Sequence, residues 1–534
     1  METRKKSFLQ GAAILAGAGA VIKLMGAFFR IPLANIIGPV GMSYYQTAYP
    51  IYNLFLTISV AGIPVAISRL VAERGAVGDY HEAHRVFRIS FGLLFVIGIL
   101  SSLAMFFGAE PYVDAVERPA ALLATRAIAP ALLFVPMMAA FRGYFQGMQD
   151  MKPTALSQIF EQLFRVIAGL ALAVILVKSS LEMAAGGASF GAAAGSAFGL
   201  LAIGVIYMMQ RGSILSRARR KSGGGRESSF HILGRILIIA LPITIGAAIM
   251  PLMNMIDVAI VTRRLLEIGY SSNAADTLYG ELSGFAAPLI NLPQVLIQAI
   301  AISLVPAIAS AHRRKDTEFL RFNVSAGLRT AMLIAMPCAF GMMSLSQPIM
   351  LLLYPMEKAS AVSAAPCLFI LAIGIIFLSG IQTLTGVLQG IGKQNIPVIN
   401  LLIGSMVKIA CTFILTGVPS INVKGAAVGT VAAYVTAFLL NAAAVKRYTG
   451  ASFHVIQTFL KPLASALAMS VCAVAVHRLS VGFAGNSLAT LAACGAGALV
   501  YAVMLFASKA ITVEELEAMP KGDKLAKIAR KFKK

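Results

Sequence analysis

The stretch RGYFQGMQDMKP, residues 142–153, ends one apolar run and opens the next, and TGVLQGIGKQNIP, residues 385–397, repeats its design. In both, a Gly, two further residues and Gln-Gly close the apolar run, and a Pro opens the following one. Gln146-Gly147 and Gln389-Gly390 lie 243 positions apart, since 389 − 146 = 243. A polar turn that recurs at this distance indicates an internal repeat, in which both turns have the same conformational role.

The composition predicts a membrane protein. Of the 534 residues, 58% are hydrophobic and 13% are charged, with a mean hydropathy of +0.82. A soluble domain carries about 25% charged residues, which excludes a large soluble protein. The five cysteines all fall within apolar runs, so we expect neither a disulfide framework nor a structural metal site.

Apolar runs of about 20 residues recur along the whole chain, and each is long enough to cross a hydrocarbon core of about 30 Å. Backbone groups in lipid must bond internally, which predicts helices. The sequence therefore predicts an all-α integral membrane protein with about fourteen transmembrane helices. Their approximate cores are 8–29, 45–68, 88–108, 120–141, 154–177, 188–210, 235–261, 283–310, 325–346, 362–388, 396–416, 424–445, 460–478 and 487–508.

The charge distribution predicts that both termini face the cytoplasm, in the plasma membrane of a bacterium. With that orientation, 31 of the 45 lysines and arginines lie in inside segments, eight in outside loops and six within spans, as the positive-inside rule requires. The bias explains the net charge of +23 without a nucleic-acid partner. The basic stretch 217–226 and the tail 511–534 are expected to face anionic lipids, the tail as an amphipathic helix or as a frayed basic segment.

Two further matches support the repeat. YPIYNL at 49–54 matches APLINL at 287–292, and PVAIS at 64–68 matches PAIAS at 306–310 with about four residues inserted. Six spans separate the copies, so both halves enter the membrane from the same side and the repeat is parallel. The expected parts are an N-lobe at 1–220, a linker at 221–231, a C-lobe at 232–450, two extra spans at 451–510 and the tail at 511–534.

Ionisable residues at mid-membrane are functional candidates because an unsolvated charge there is costly. Arg165 and Lys408 each lie about twelve residues beyond the proline that ends their inside turn, Pro153 or Pro397, about 18 Å deep at helical rise, and are equivalent under the 243-residue offset. We expect them to line a central cationic cavity that binds an anionic head group. Arg30, Lys23 and Arg69 are further candidates for this cavity.

Two acidic residues also lie within spans. Glu161 precedes Arg165 by four residues and can pair with it on one helix face, and Asp257 follows Asn254 in the seventh span. They are either internal ion pairs that hold helices together or sites that couple transport to Na⁺, protons or the membrane potential. The chain contains no phosphate-binding loop, His-Glu-x-x-His sequence or nucleophile elbow, so we expect no enzyme activity, catalytic residue or cofactor.

Three stretches carry a family resemblance: RIPLANIIGPVGMSYYQTAYPIYN at 30–53, GIPVAISRLVAE at 62–73 and RGYFQGMQDMKPTALSQIFEQLFRVI at 142–167. The chain resembles the stage V sporulation protein B group, in the polysaccharide-transporter branch of the multidrug/oligosaccharidyl-lipid/polysaccharide flippase superfamily. The resemblance implies two six-helix lobes in a V shape. It also implies export of an undecaprenyl-linked glycolipid, lipid II above all, by alternating access, with cell-wall synthesis proteins as partners.

The resemblance also implies site residues. Lipid II flippases line their central cavity with arginines, one of them at the end of the first span, where this chain has Arg30. The aspartate that usually follows is Ile31 here, and the arginines of the second and eighth spans fall near Leu56 and Pro288. The last two spans would form a groove for the lipid tail.

Other functions remain open. A flippase for a teichoic, capsular or spore-wall polymer has the same expected features. A drug/cation antiporter of the same fold would favour acids at mid-membrane, whereas six basic and two acidic residues lie in these spans. A non-transporting scaffold or receptor, and a membrane enzyme acting on lipid-linked sugars, are further classes with less support.

Overall fold

The computed structural model describes residues 2–219 and 227–508, which are almost entirely helical. The basic linker residues 220–226 and the predicted tail helix lie outside the described residues. The α-helices are α1 (Glu2–Val60), α2 (Ile63–Ala76), α3 (Tyr80–Ala115), α4 (Leu122–Ile128), α5 (Ala131–Gly147), α6 (Lys152–Leu176), α7 (Leu181–Arg219), α8 (Ser229–Glu267), α9 (Ser272–Gly280), α10 (Ala287–Ile290), α11 (Gln294–Arg313), α12 (Thr317–Ser344), α13 (Ser346–Leu353), α14 (Lys358–Gly390), α15 (Asn395–Thr416), α16 (Lys424–Thr449) and α17 (Lys461–Ala507).

Twelve helical segments among the described residues are long and apolar enough to span a membrane. The predicted all-α membrane fold is therefore confirmed. The segment that contains α1 and the segment that contains α17 are each interrupted by a glycine with non-helical backbone angles. The fourteen crossings derived from the sequence stay a prediction.

Helix α1 reverses direction at Gly38. Gly38 has φ 63° and ψ −174°, a conformation that is costly for a residue with a Cβ atom. The rings of Phe29 and Tyr45 lie 6.2 Å apart, whereas sixteen residues of straight helix would separate them by about 24 Å. The two arms of α1 therefore fold back on each other, as the sequence predicts for its first two spans.

Helix α17 reverses in the same way at Gly485, where φ is 71° and ψ is 167°. The hydroxyl groups of Ser465 and Ser508 lie 3.5 Å apart although 43 residues separate them. A Cβ atom at Gly497 would lie 3.3 Å from Cγ of Met469. The two arms of α17 therefore pack antiparallel and correspond to the last two predicted spans.

The repeated Gln-Gly stretches close α5 and α14 with the same hydrogen bonds. The amide of Asp150 donates to the carbonyl of Phe145 at 2.9 Å, and the amide of Lys393 donates to that of Leu388 at 2.8 Å. The preceding residue is Gln149, at φ 62°, in the first stretch and Gly392, at φ 78°, in the second. Its amide donates to the carbonyl of the glutamine of the motif, Gln146 or Gln389, at 3.0 Å. This pair of bonds is the Schellman cap of a helix C-terminus.

The glycines of both motifs permit close helix packing. A Cβ atom at Gly147 would lie 2.7 Å from the carbonyl oxygen of Ser68 on α2, and one at Gly390 would lie 3.0 Å from that of Val305 on α11. Ser68 therefore corresponds to Val305, at an offset of 237. The match of residues 64–68 with 306–310 is wrong by about one helical turn, because both segments are apolar helix and similar letters recur at that spacing.

The chain divides into two compact units, Met1–Gly284 and Phe285–Lys534. In the first unit, Ile67, Phe87 and Phe141 belong to a buried apolar cluster contributed by α2, α3, α5, α7 and α8. In the second unit, Leu328 and Met336 of α12 pack with Ala466 of α17. Helices α8 and α9 belong to the first unit by contact, although the repeat assigns them to the second half. The lobe boundaries derived from the repeat stay a prediction.

Candidate anion-binding site

Arg165 lies on α6 and interacts with tyrosines of α1. The helix begins with Lys152-Pro153, and a proline in the first turn is compatible with a helix because no hydrogen bond is lost. Arg165 interacts electrostatically with Tyr45, Tyr49 and Tyr52. Its Nε is buried, and no residue in the described ranges accepts a hydrogen bond from it. A guanidinium group has five N–H donors, and this one therefore retains donor capacity.

Tyr45, Tyr49 and Tyr52 form a tyrosine row on one face of α1, since positions i, i+4 and i+7 of a helix align. The hydroxyl groups of Tyr45 and Tyr49 lie 2.6 Å apart. Successive ring centroids lie 4.8 Å and 6.0 Å apart. Tyr45 and Tyr52 are each 2% exposed. Phenol hydroxyls donate hydrogen bonds, and the row therefore adds donors beside the guanidinium group.

Arg30, on the other arm of α1, lies within electrostatic range of the same row. It interacts electrostatically with Tyr45, as Arg165 also does. The reversal at Gly38 makes this possible, because it folds the arm that ends in Phe29-Arg30 against the arm that carries the tyrosines. The structure thus associates two arginines, predicted separately, with one tyrosine.

Glu161 pairs with an arginine that the sequence did not suggest. Its Oε2 lies 2.9 Å from Nη2 of Arg142 on α5, and Nε of Arg142 donates to Oγ of Ser157 at 3.0 Å. The predicted pairing of Glu161 with Arg165 is therefore corrected: Glu161 contributes electrostatically to Arg165, but its ion pair is with Arg142. The helix-face spacing made Arg165 the obvious partner, whereas tertiary packing brings Arg142 closer.

The local charge of this site is positive. Arg30, Arg142 and Arg165 carry three positive charges and Glu161 carries one negative charge, a balance of 3 − 1 = +2. Arg142 and Glu161 are mostly buried, with side chains 15% and 18% exposed. Such an arrangement of guanidinium and phenol donors suits a phosphate or carboxylate group.

Lys23 and Arg69 both have exposed side chains. Lys23 is exposed on the first arm of α1. Arg69 of α2 has a side chain that is 65% exposed and pairs with Glu73 at 2.9 Å. An exposed ion pair of this type contributes little energy. Both residues remain predictions as ligands of a substrate.

Lys408 lies in the second unit, on α15, where it is half-buried. A Cβ atom at Gly429 of α16 would lie 3.0 Å from its carbonyl oxygen. In the first unit, a Cβ atom at Gly191 of α7 would lie 2.7 Å from the carbonyl oxygen of Arg165. Each cation therefore lies on a helix that packs closely, through a glycine, against the next helix, which agrees with their equivalence in the repeat.

Asp257 and Asn254 lie on α8, where Asn254 is exposed and Asp257 is half-buried. Asp257 interacts electrostatically with Tyr279 of α9. Over residues 2–219 and 227–508, the structure has no group of three or more His, Cys, Asp or Glu residues able to hold a metal ion. A role for Asp257 in ion coupling stays a prediction.

The tyrosine row and Arg142 were not predicted as site residues, although they lie within residues 30–53 and 142–167, which carry the family resemblance. The spacing of Tyr45, Tyr49 and Tyr52 was a visible signal, since it is helical and aligns three hydroxyls. Arg142 had no comparable signal, because its distance from Glu161 depends on how α5 packs against α6.

The chain is similar to bacterial transporters along most of its length. The family described as "Polysaccharide biosynthesis protein" matches residues 8–312, and the family "MatE" matches residues 242–414. "Stage V sporulation protein B" of Bacillus subtilis (strain 168) is 28% identical over 97% of this chain and 98% of its own. "Lipid II flippase MurJ" of the same organism is 26% identical over 84% of each chain.

Solved structures show the same fold. The inward closed conformation of lipid II flippase MurJ matches with a TM-score of 0.69 at 17% identity, covering 92% of this chain and 98% of that one. An inward-facing multidrug resistance MATE family transporter of the MOP superfamily matches with a TM-score of 0.66 at 15% identity, covering 80% and 99%. The first family profile spans more than half of the chain, since residues 8–312 are 305 of 534. The chain is therefore a multi-pass membrane protein of the polysaccharide biosynthesis protein family, with the fold of the MOP superfamily transporters.

Proposed function

We propose that this protein is a flippase that moves an undecaprenyl-pyrophosphate-linked cell-wall precursor, lipid II, from the inner to the outer leaflet of a bacterial plasma membrane. The observation that carries the proposal is the pair Arg30 and Arg165 at one tyrosine row within an apolar helical protein. The similarity to a protein named lipid II flippase and to one named for stage V sporulation supports it.

A cationic site meets the main physical obstacle to this reaction. A pyrophosphate-sugar head cannot enter hydrocarbon unaided, because an unpaired charge in a medium of low dielectric constant is very costly. Guanidinium groups bind phosphate through parallel hydrogen bonds, and the tyrosine hydroxyls of the row would replace further water. The undecaprenyl chain would remain in lipid beside the protein, with the α17 arms as a candidate groove.

Transport would proceed by alternating access, and Lys408 of the second unit is a further candidate for contact with an anionic head group. Membrane potential, Na⁺ or protons would give the movement a direction. Asp257 and Glu161 are both candidates for coupling, and the carboxylate of Glu161 is paired with Arg142. Contacts with cell-wall synthesis proteins and with anionic lipids belong to the same proposal.

Two alternatives have specific support. Similarity to a stage V sporulation protein favours a different undecaprenyl-linked polymer, such as a spore-wall, teichoic or capsular precursor. The MatE profile and the MATE structure favour a drug/cation antiporter. The antiporter would need an exposed acid to bind cations, whereas the site at the tyrosine row has a balance of +2.

Complementation tests the proposal. We would deplete the resident lipid II flippase of a bacterial host, express this chain and label lipid II exposed in the outer leaflet. We expect rescue by the wild-type chain, loss of rescue with Arg165→Ala or Lys408→Ala, and normal rescue with Arg263→Ala, an exposed arginine of α8. Confirmed membrane expression without rescue would contradict lipid II as the substrate, and a gain in drug resistance would favour the antiporter.

A further inference from the structure

Arg118 is fully enclosed by polar partners from three helices. It lies between α3 and the 3₁₀ turn at Pro119–Ala121 and is 1% exposed. Its Nε donates to Oγ1 of Thr262 on α8 at 2.7 Å, and its Nη1 donates to Oγ of Ser43 on α1 at 2.6 Å. The guanidinium also lies 4.0 Å from the ring centroid of Tyr279 on α9.

A buried carboxylate completes this network. Oδ1 of Asp276 on α9 accepts a hydrogen bond from Ser43 at 3.0 Å and lies 3.4 Å from Nε of Arg118. We name this group the Arg118 clip, with members Ser43, Thr47, Arg118, Thr262, Asp276 and Tyr279. The clip fastens α8 and α9 to α1 on the side that the charge pattern places outside.

The Arg118 clip is poorly explained by stability alone. Burial raises the pKa of Asp276 above its ordinary value and lowers the pKa of Arg118, so desolvation outweighs the attraction between them. Nη2 of Arg118 is buried, and no residue in the described part of the chain accepts a hydrogen bond from it. A well-packed apolar group would often stabilise such a site equally well or better.

A second polar network fastens the opposite end of α8. Nη2 of Arg235 lies 2.7 Å from Oε2 of Glu73 on α2. Glu227, just before α8, pairs with Arg74 of α2, and its carbonyl accepts a hydrogen bond from Arg85 of α3. We name this group the Glu227 clip, with members Glu73, Arg74, Arg85, Glu227 and Arg235.

The two clips lie at opposite ends of α8. Arg235 and Thr262 are 27 residues apart, about 40 Å at helical rise. Between them α8 contains Pro242 and Pro251, and the side chains of Leu241 and Ile245 in this stretch are 54% and 66% exposed. Prolines within a helix allow it to bend. Helix α8 is therefore held by polar contacts at both ends and is less buried along its middle.

We propose that the Arg118 clip and the Glu227 clip open in alternation during transport, so that α8 separates from α1 at one end while it stays attached to α2 and α3 at the other. The inference rests on the proposed transport function. It assigns a role to Arg118, Asp276 and Glu227, none of which belongs to the anion-binding site.

The two clips differ in strength, which selects the resting state. The Glu227 clip is partly open to solvent, with Glu73 40% and Arg235 37% exposed, and exposed ion pairs are weak. The Arg118 clip is buried, and breaking it leaves a charge without a partner. The resting protein therefore keeps the Arg118 clip closed and opens first at the cytoplasmic end, where a precursor made in the cytoplasm is loaded.

Cysteine labelling tests the alternation without any substrate. The reporter is Thr47→Cys, since Thr47 is 0% exposed and belongs to the Arg118 clip. The five native cysteines would be replaced, and a membrane-impermeant maleimide would be added outside intact cells. We expect slow labelling of the reporter alone, and labelling about tenfold faster after Arg118→Gln, which corresponds to a modest population shift.

The decisive variant combines Arg118→Gln with Arg235→Gln. If the clips oppose each other, weakening the Glu227 clip restores the closed state of the Arg118 clip. The labelling rate then falls back to within about threefold of that of the reporter alone. If each clip is only structural, the double variant labels faster than Arg118→Gln, which would overturn the proposal. Arg263→Gln, on α8 beside Thr262, should leave labelling unchanged.

The outcome separates this inference from the proposed function. Reciprocal labelling without rescue of lipid II export would support the two clips in a transporter of another substrate. Normal rescue by the wild-type chain with additive labelling would support the flippase and reject the alternation.

Discussion

At the scale of single residues, the site depends on what surrounds each arginine. Arg165 and Arg30 are separated by 135 positions, yet both interact with Tyr45. Tyr52 is a hydrogen-bond partner of Arg165, and the hydroxyls of the row and the guanidinium group together leave donors for an anion. The row therefore has a positioning role that an apolar aromatic side chain could not fill.

Removing one hydroxyl tests that role. We expect Tyr52→Phe to lower transport at limiting substrate by about fivefold, with a smaller effect at saturating substrate, because it removes one hydrogen bond worth about 1 kcal/mol. Transport rates at several substrate concentrations check this. Tyr448→Phe is the matched control, since Tyr448 is 43% exposed on α16 and belongs neither to the tyrosine row nor to either clip. Equal effects of the two substitutions would contradict the positioning role.

The sequence could identify the two arginines but not their setting. Arg165 stood out because its depth within a span makes an ionisable group costly, and Arg30 because it lies at the end of the first span. The partner of Glu161 could not be predicted, because Arg142 approaches it across two helices and helix-face spacing considers only one. Three tyrosines at helical spacing were present in a quoted motif, and only the structure associates them with the cations.

At the scale of elements, glycines decide where helices reverse, end and touch. Gly38 and Gly485 reverse α1 and α17, and the repeated turns end α5 and α14 with identical caps. The sequence located the two Gln-Gly turns correctly, because Gln-Gly followed by Pro is a local signal. The alignment of 64–68 with 306–310 failed, because only packing distances identify which turn of α11 corresponds to α2.

The two caps have different residues at the position with the left-handed conformation, which allows a matched test. Gln149 occupies the left-handed conformation that Gly392 occupies in the other cap, at a cost of about 1 kcal/mol for a residue with a side chain. We expect Gln149→Gly to raise the thermal stability of the detergent-solubilised protein and Gly392→Ala to lower it. A Cβ atom at Gly392 has open space around it, so the effect of Gly392→Ala would be conformational. A stabilising Gly392→Ala would contradict this.

The close packing of α6 and α7 makes a second prediction. A Cβ atom at Gly195 would lie 2.4 Å from the carbonyl oxygen of Glu161 and 2.8 Å from Cβ of Arg165. We expect Gly195→Ala to destabilise the protein by about 1–3 kcal/mol and to reduce transport, because it displaces the helix that carries Arg165. Gly204→Ala, on the same helix with open space around it, should be neutral or stabilising. Thermal unfolding and transport assays on both variants check this.

At the scale of the whole molecule, composition and the positive-inside bias were sufficient for the class of protein. They predicted a helical membrane protein, which the structure and the family match confirm. Division into halves was harder, because the repeat follows sequence similarity, whereas the compact units follow contacts. The repeat assigns helices α8 and α9 to the second half, whereas their contacts place them in the first unit. The Arg118 clip and the Glu227 clip explain this attachment. Sequence spacing contains no information about such ties between distant segments.

The measurement that tests the central claim most directly is movement of lipid II between leaflets by the purified chain. The protein would be reconstituted in liposomes with fluorescent lipid II and an imposed membrane potential, and label exposed outside would be quenched. We predict transfer by the wild-type chain and by Arg263→Ala, and transfer about 100-fold slower with Arg165→Ala, because a charged partner of the head group is lost. Equal rates for Arg165→Ala and the wild type would contradict the cationic site, and no transfer by the wild type would contradict the flippase itself.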